Sequence, residues 1–358
     1  MKEIEKINSS LSETRFFIIT ASLVVIIAGI YFAQSIVVLF LVSIFLALLG
    51  TPALLWLKKK HIPPGFAVLI VMAGMVIILL LIGAQIGMSV SGFSNELPLL
   101  ESRIREEFLK LSLFLTDKGI GAGENIFQEH LKPEAVMQLT SSLLTSLGSA
   151  LSDLVLILLT VTFILLEVSS FPIKLRKILG DPTQVFPRFT QFVLDLKRYM
   201  VIKTIINLVA GIVITLWMYI LGVQFPVLWG FLAFLLHYIP NIGSVIAALP
   251  AALLALVQLG AGSALLVAVG NILIGFIIGN IIEPRLLGRR LGLSTLVVFL
   301  SLIIWGSLLG LIGAILCIPL TMTLKFAFES NENTRWIALL LGSEKSDEFS
   351  ISIKKKSR

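Results

Sequence analysis

Two apolar segments, Pro226–Leu259 and Leu293–Phe326, each about 34 residues long, constrain this chain more than any other feature. One α-helical crossing of a bilayer takes roughly 20 apolar residues, and two crossings with a turn take more than about 40. Each segment is therefore too long for one span and short for two. Each is also interrupted near its middle, the first by Ile239-Pro240-Asn241-Ile242-Gly243 and the second by the run from Gly306 through Gly310 to Gly313. Apolar segments interrupted by Gly or Pro at matching places in two halves point to a transport site made of broken helices. Both are expected to be helical hairpins dipping into a membrane, with the rest of the chain holding them.

Composition agrees. Hydrophobic residues make up 57% and charged residues 14% of the chain, against roughly a quarter charged in a soluble domain. Phe16–Leu57 runs for about 42 residues without a charge, which sets the class as an all-α polytopic membrane protein. That run is too long for the core of a secretory signal peptide. The net charge of +7 is read as basic residues collected in cytoplasmic loops rather than as a nucleic-acid surface. The single cysteine, Cys317, excludes an intrachain disulfide or a cysteine metal cluster.

The order of spans follows from hydropathy and charge. Phe16–Leu57 divides into two helices around Ala33-Gln34-Ser35; Lys58-Lys59-Lys60 and Pro63-Pro64 follow, and a third span is expected over about 66–92. The polar tail and the lysines place both ends of the first pair in the cytoplasm. Residues 93–146, with more acidic than basic side chains, then lie outside as a helical segment. Leu100, Ile104, Phe108, Leu111 and Leu115 give it one apolar face. A fourth span, about 147–167, returns to a basic stretch. There Phe189, Phe192, Val193, Leu196 and Tyr199 share a face, which suits a helix in the interface plane or a lead-in packed on other protein.

A fifth span (about 204–223) leads out, and the first hairpin enters from outside. A span at about 263–282 leads back to Arg285, Arg289 and Arg290, and the second hairpin enters from inside before the basic tail. Span plus broken hairpin thus occurs twice with opposite polarity: an inverted repeat in the C-terminal half, among about eight transmembrane or re-entrant elements. The expected divisions are 1–92, 93–146, 147–203, a transport core at 204–327 and a cytoplasmic tail at 328–358.

Broken helices at membrane depth survive only where they are buried or line water. Pro240, Asn241, Gly243 and Ser244 at the first interruption, and Gly306, Gly310 and Gly313 at the second, are therefore the candidate solute-binding positions. The competing reading is a pair of tight turns whose freed groups are satisfied by neighbours. His237 can carry a proton or sit packed and neutral. Glu283 is the best charged candidate, as an ion-coupling carboxylate or an ion pair with the nearby Arg285 and Arg289. Asp153, near one end of the fourth span, is a weaker candidate of the same kind. Asn271 and Asn280, nine apart, are expected on one side of their helix, as a polar path or as glue between helices. Gly275 and Gly279 suit close packing.

Catalytic and nucleotide motifs are missing: there is no His-Glu-x-x-His, no Gly-x-Ser-x-Gly and no P-loop. An enzyme is not expected, nor a cofactor or metal site, and transport would run on a gradient.

Tyr238-Ile239-Pro240-Asn241-Ile242-Gly243-Ser244 and Pro250 are followed by Ile282-Glu283-Pro284-Arg285-Leu286-Leu287-Gly288 and Leu291-Gly292-Leu293-Ser294. Trp305-Gly306, Gly310, Gly313 and Pro319-Leu320-Thr321 complete the set. In order and spacing this set resembles the AI-2E family of membrane transporters. His237 departs from the pattern, which has asparagine before Tyr-Ile-Pro. The resemblance implies export of the furanone autoinducer-2 in some members and sodium- or lithium-for-proton exchange in others. It also implies homo-oligomers, pentamers among them. The leading expectation is a secondary exporter of a small polar solute in the bacterial cytoplasmic membrane, both termini cytoplasmic, with lipid around it and a midplane site between the hairpins. The alternatives are a monovalent cation/proton antiporter using Glu283 or His237, and a channel-like or scaffolding protein holding a partner on residues 93–146.

Overall fold

In a computed structural model of the chain, the backbone is described for residues 18, 20–22, 24–117, 142, 145, 153–168, 185–240, 242–287 and 293–342. Among them no strand forms beyond one isolated bridge, Leu293 with Gly342, and the elements are helices. A short apolar helix, Thr20–Phe32, comes first. Ala33 breaks it from α1 (Gln34–Lys59), within the interruption expected at Ala33-Gln34-Ser35. α2 (Pro64–Asp117) begins on a proline, which suits the first turn because its missing N–H has no partner to lose there.

Helix lengths bear on two expectations here. α2 runs unbroken for 54 residues, so the boundary drawn at 92/93 falls inside one helix. No glycine cluster or proline pair interrupts the helical spacing there. The expected glycine break at 119–123 and the helix start at Pro133 lie outside the described residues. α4 (Val185–Leu221) is one helix of 37 residues, so of the two readings of its amphipathic start the structure supports the lead-in packed on other protein. Phe192 stacks on Phe326 with ring centroids 4.3 Å apart, and Tyr199 is buried. Between these, α3 (Leu154–Glu167) packs against α1 and α2.

The C-terminal half contains the hairpins. Gly222, at φ 73°, ends α4 and Val223 N–H bonds back to Met218 O, a cap that reverses the chain. α5 (Pro226–Leu236) descends, the chain turns through His237–Ile242, and α6 (Gly243–Leu259) climbs back. A single residue, Gly260, joins α6 to α7 (Ala261–Ile277). That helix continues through a π-helical turn, Ile278–Ile282, into α8 (Glu283–Leu287).

α9 (Thr295–Ile315) breaks at Gly310, whose φ 64° and ψ −148° lie in a region essentially reserved for glycine. The chain folds back there: Trp305 Nε1 donates to Thr321 Oγ1 at 3.1 Å, although a straight helix would separate the two by about 24 Å. α10 (Cys317–Glu329) is the return leg, and α11 (Arg335–Leu341) follows.

Span plus hairpin therefore occurs twice, and the two units run in opposite directions. Their tips do not meet at one depth. Tyr238, at the first tip, packs edge-on against Phe45 of α1, whereas Gly310, at the second, lies beside Gln34. Eleven residues of α1 separate those levels, about 16 Å along its axis. The hairpins pass one another, and Ile315 and Leu316 of the second share an apolar core with Leu232, Leu236 and Ile239 of the first.

Among the described residues, five helices are long and apolar enough to cross a membrane: Gln34–Lys59, Pro64–Ser89, Phe189–Leu221, Ala261–Leu287 and Thr295–Ile315. Large apolar side chains such as Phe66, Ile220, Leu265 and Leu296 are exposed on them, as lipid contact requires. The protein is an all-α polytopic membrane protein.

Candidate functional site

The first hairpin tip lies against the start of the apolar part of α4. Thr204 Oγ1 gives its proton to Met200 O at 2.7 Å, so Tyr238 is the donor in the 2.6 Å hydroxyl contact between Tyr238 and Thr204. Thr204 stands 17 residues before Leu221, about 26 Å along the helix. Helix α5 and its turn thus run back along α4 for about 26 Å.

Beside this tip is a cavity of ≈ 240 Å³. Its walls come from the turn and first residues of α6 (Ile239, Pro240, Gly243, Ser244), from the α7–α8 rod (Ile272, Gly275, Gly279, Asn280, Glu283), and from His237 and Lys203. It is somewhat smaller than the roughly 300–1,000 Å³ that drug-sized ligands occupy.

At one end, Lys203 Nζ and Glu283 Oε2 are 2.7 Å apart, with side chains 4% and 20% exposed. Glu283 therefore pairs 80 residues away rather than with Arg285, which is exposed on α8. Arg289 lies outside the described residues. Such a charge-assisted hydrogen bond holds α4 to α8 only while both partners are present. The turn before Glu283 is π-helical, a form that recurs at functional sites because it re-aims the residues that follow.

At the other end, His237 and Ser244 meet Gly275. A Cβ on Gly275 would overlap the Ser244 side chain and lie 3.6 Å from His237 Nε2. Bare Cα at this point is what lets α6 and α7 close. Gly279, one turn on, has nothing within 4 Å of an added Cβ and leaves cavity space instead. His237 Nδ1 is 2.7 Å from Ala233 O, while Nε2 is buried with no hydrogen-bond partner.

Of the positions singled out from sequence, His237, Pro240, Gly243, Ser244, Asn280 and Glu283 line this cavity. Asn241 lies outside the described residues. Gly306, Gly310 and Gly313 shape the second hairpin and are not part of the lining; a Cβ on Gly313 would overlap Trp305 O of the opposing leg. Asp153 is exposed at the start of α3, away from the cavity.

Asn271 and Asn280 do not share a side. Nine residues at 100° each leave them half a turn out of phase. Asn271 is buried at 2% exposure, whereas Asn280 is exposed and bonds back to Phe276 O. Lys203 was missed, because its place among basic loop residues hid it. The available signal was its spacing with Asn207 and Gly211, which puts a charge, an amide and a glycine on one helix face. Among the described residues no group of three metal-ligating side chains forms.

The model of the AI-2E transporter family matches residues 20–333. The chain belongs to the AI-2E transporter family. It is 39% identical over 332 residues to the AI-2 transport protein TqsA of Escherichia coli K12, covering 93% of this chain and 96% of that protein. It is 35% identical to the putative transport protein YhhT of the same organism, over 90% of this chain and 92% of the relative. A putative transport protein of Haemophilus influenzae is 34% identical over 90% and 94%. The AI-2E members it resembles are transporters, not enzymes. Five of the residues that line the cavity beside the first hairpin, Ile239, Pro240, Gly243, Ser244 and Glu283, belong to the set that carries the family likeness.

Proposed function

We propose that this AI-2E protein is a secondary exporter of a small, polar, uncharged solute, autoinducer-2 or a close chemical relative, across the bacterial cytoplasmic membrane. The cavity at the first hairpin tip is its binding site, and Lys203 marks the cytoplasmic end. One observation carries the reading: the cavity's sole carboxylate, Glu283, is already neutralised by Lys203 at 2.7 Å. A lining with balanced charge and a few polar atoms favours a neutral hydrogen-bonding solute over a cation.

The second reading, sodium- or lithium-for-proton exchange, has one observation in its favour. The counter-ion of Glu283 is an ammonium on a flexible stem, which a small cation can replace.

Proteoliposomes separate the two. The expected result is efflux of preloaded autoinducer-2, with no proton movement when a sodium gradient is imposed. Sodium-driven proton flux that disappears in Glu283→Gln, without solute efflux, overturns the exporter reading in favour of the antiporter.

A further inference from the structure

We propose that His237 Nε2 is the hydrogen-bond acceptor that reads a hydroxyl group of the transported solute. The inference deepens the exporter reading above and rests on it.

His237 is 8% exposed and closes the C-terminal end of α5. Its Nδ1 lies 2.7 Å from Ala233 O, one turn earlier. A carbonyl oxygen can only accept, so this contact assigns the ring proton to Nδ1 and leaves Nε2 of the neutral imidazole as a bare lone pair. That lone pair has no partner in the protein. Three buried side-chain atoms among the described residues share this condition, on Trp217, His237 and Asn271, and His237 alone of these lines the cavity. Buried polar atoms in native proteins are almost always paired, so an orphan at a cavity wall calls for a partner from outside the chain.

The neighbours narrow what that partner is. Lys203 and Glu283 pair with one another in the cavity wall. Ser244 packs against Gly275 on the same wall, but its hydroxyl does not engage Nε2. What is wanted is therefore an O–H donor without charge: a cation would face the Lys203 ammonium, and an anion the Glu283 carboxylate. A site built around one hydroxyl discriminates against the analogue lacking it, because the deoxy solute leaves the acceptor buried and unpaired.

The test uses the full chain in proteoliposomes and bilayers, with autoinducer-2 and a deoxy analogue as probes. Wild type is expected to export the hydroxylated probe about tenfold more efficiently than the deoxy one, the worth of one net hydrogen bond. His237→Phe should bring that ratio close to one, and His237→Gln, which retains an acceptor oxygen, should keep part of it. Imidazole nitrogen NMR of the wild type, assigned against His237→Asn, should show an unprotonated Nε2 whose resonance moves with autoinducer-2 and not with the deoxy probe.

An unchanged ratio in His237→Phe together with an unmoved resonance overturns the inference and leaves export standing; Nε2 is then served by Ser244 or water. A resonance that moves while wild type exports neither probe keeps the hydroxyl site and removes the exporter reading. No movement and no export overturn both.

Discussion

Replacing Lys203 by methionine removes one partner of the buried ion pair while keeping an unbranched side chain of similar length. At about 4 Å between charge centres and an effective dielectric of about 20, the pair's attraction is about 4 kcal/mol. Losing it leaves the Glu283 carboxylate 20% exposed at a cavity edge, so water recovers part of that. A net loss of about 3 kcal/mol is expected, the lower end of the roughly 3–5 kcal/mol seen when buried pairs are broken. Adding Glu283→Leu on the Lys203→Met background removes the stranded charge and should return stability to within about 1 kcal/mol of wild type. Equilibrium unfolding by SDS in mixed micelles, followed by tryptophan fluorescence, reads all three proteins. A Lys203→Met protein within about 1 kcal/mol of wild type, or a double variant no more stable than Lys203→Met, refutes the argument that this pair holds α4 to the α7–α8 rod.

Three further outcomes are expected. Gly310→Ala should destabilise by about 1–3 kcal/mol in the same unfolding assay, because a Cβ is forced into a backbone region that only glycine occupies easily; an unchanged midpoint would mean the hairpin does not bend there. Gly275→Ala should lower solute efflux more than tenfold with the fold retained, since the added methyl overlaps Ser244 at the cavity wall; undiminished efflux argues against this cavity as the route. Tyr238→Phe should cost about 1 kcal/mol and no more. Thr204 keeps its bond to Met200 O, and a larger loss would show that the phenol has a role beyond this contact.

Much of the architecture was legible because lipid leaves few options. A charge-free run such as Phe16–Leu57 must be helical to satisfy its own backbone, and glycine clusters or an Ile-Pro-Asn-Ile-Gly run cannot sit mid-helix without consequence. The two hairpins follow from segment length together with the interruption near the middle of each. Which glycine bends the second one does not: Gly306, Gly310 and Gly313 look equivalent in sequence. Only the packing of Trp305 against Thr321 and of Gly310 beside Gln34 selects the middle one.

The site divides the same way. Local pattern found the hairpin-tip residues and Glu283, since each stands out against its apolar neighbours. For Glu283 it offered Arg285 and Arg289 as ion-pair partners and passed over Lys203, 80 residues away, which is the partner the structure shows. By itself, then, the amino-acid order determined helix content, membrane residence and where the helices break, all consequences of backbone hydrogen bonding in a medium without water. The tertiary structure decided which broken end faces which helix, that the two tips slide past one another, and that an ion pair and an unpartnered imidazole nitrogen border one cavity. Those outcomes depend on residues meeting across 34 to 276 positions of the chain, and no local periodicity encodes such meetings.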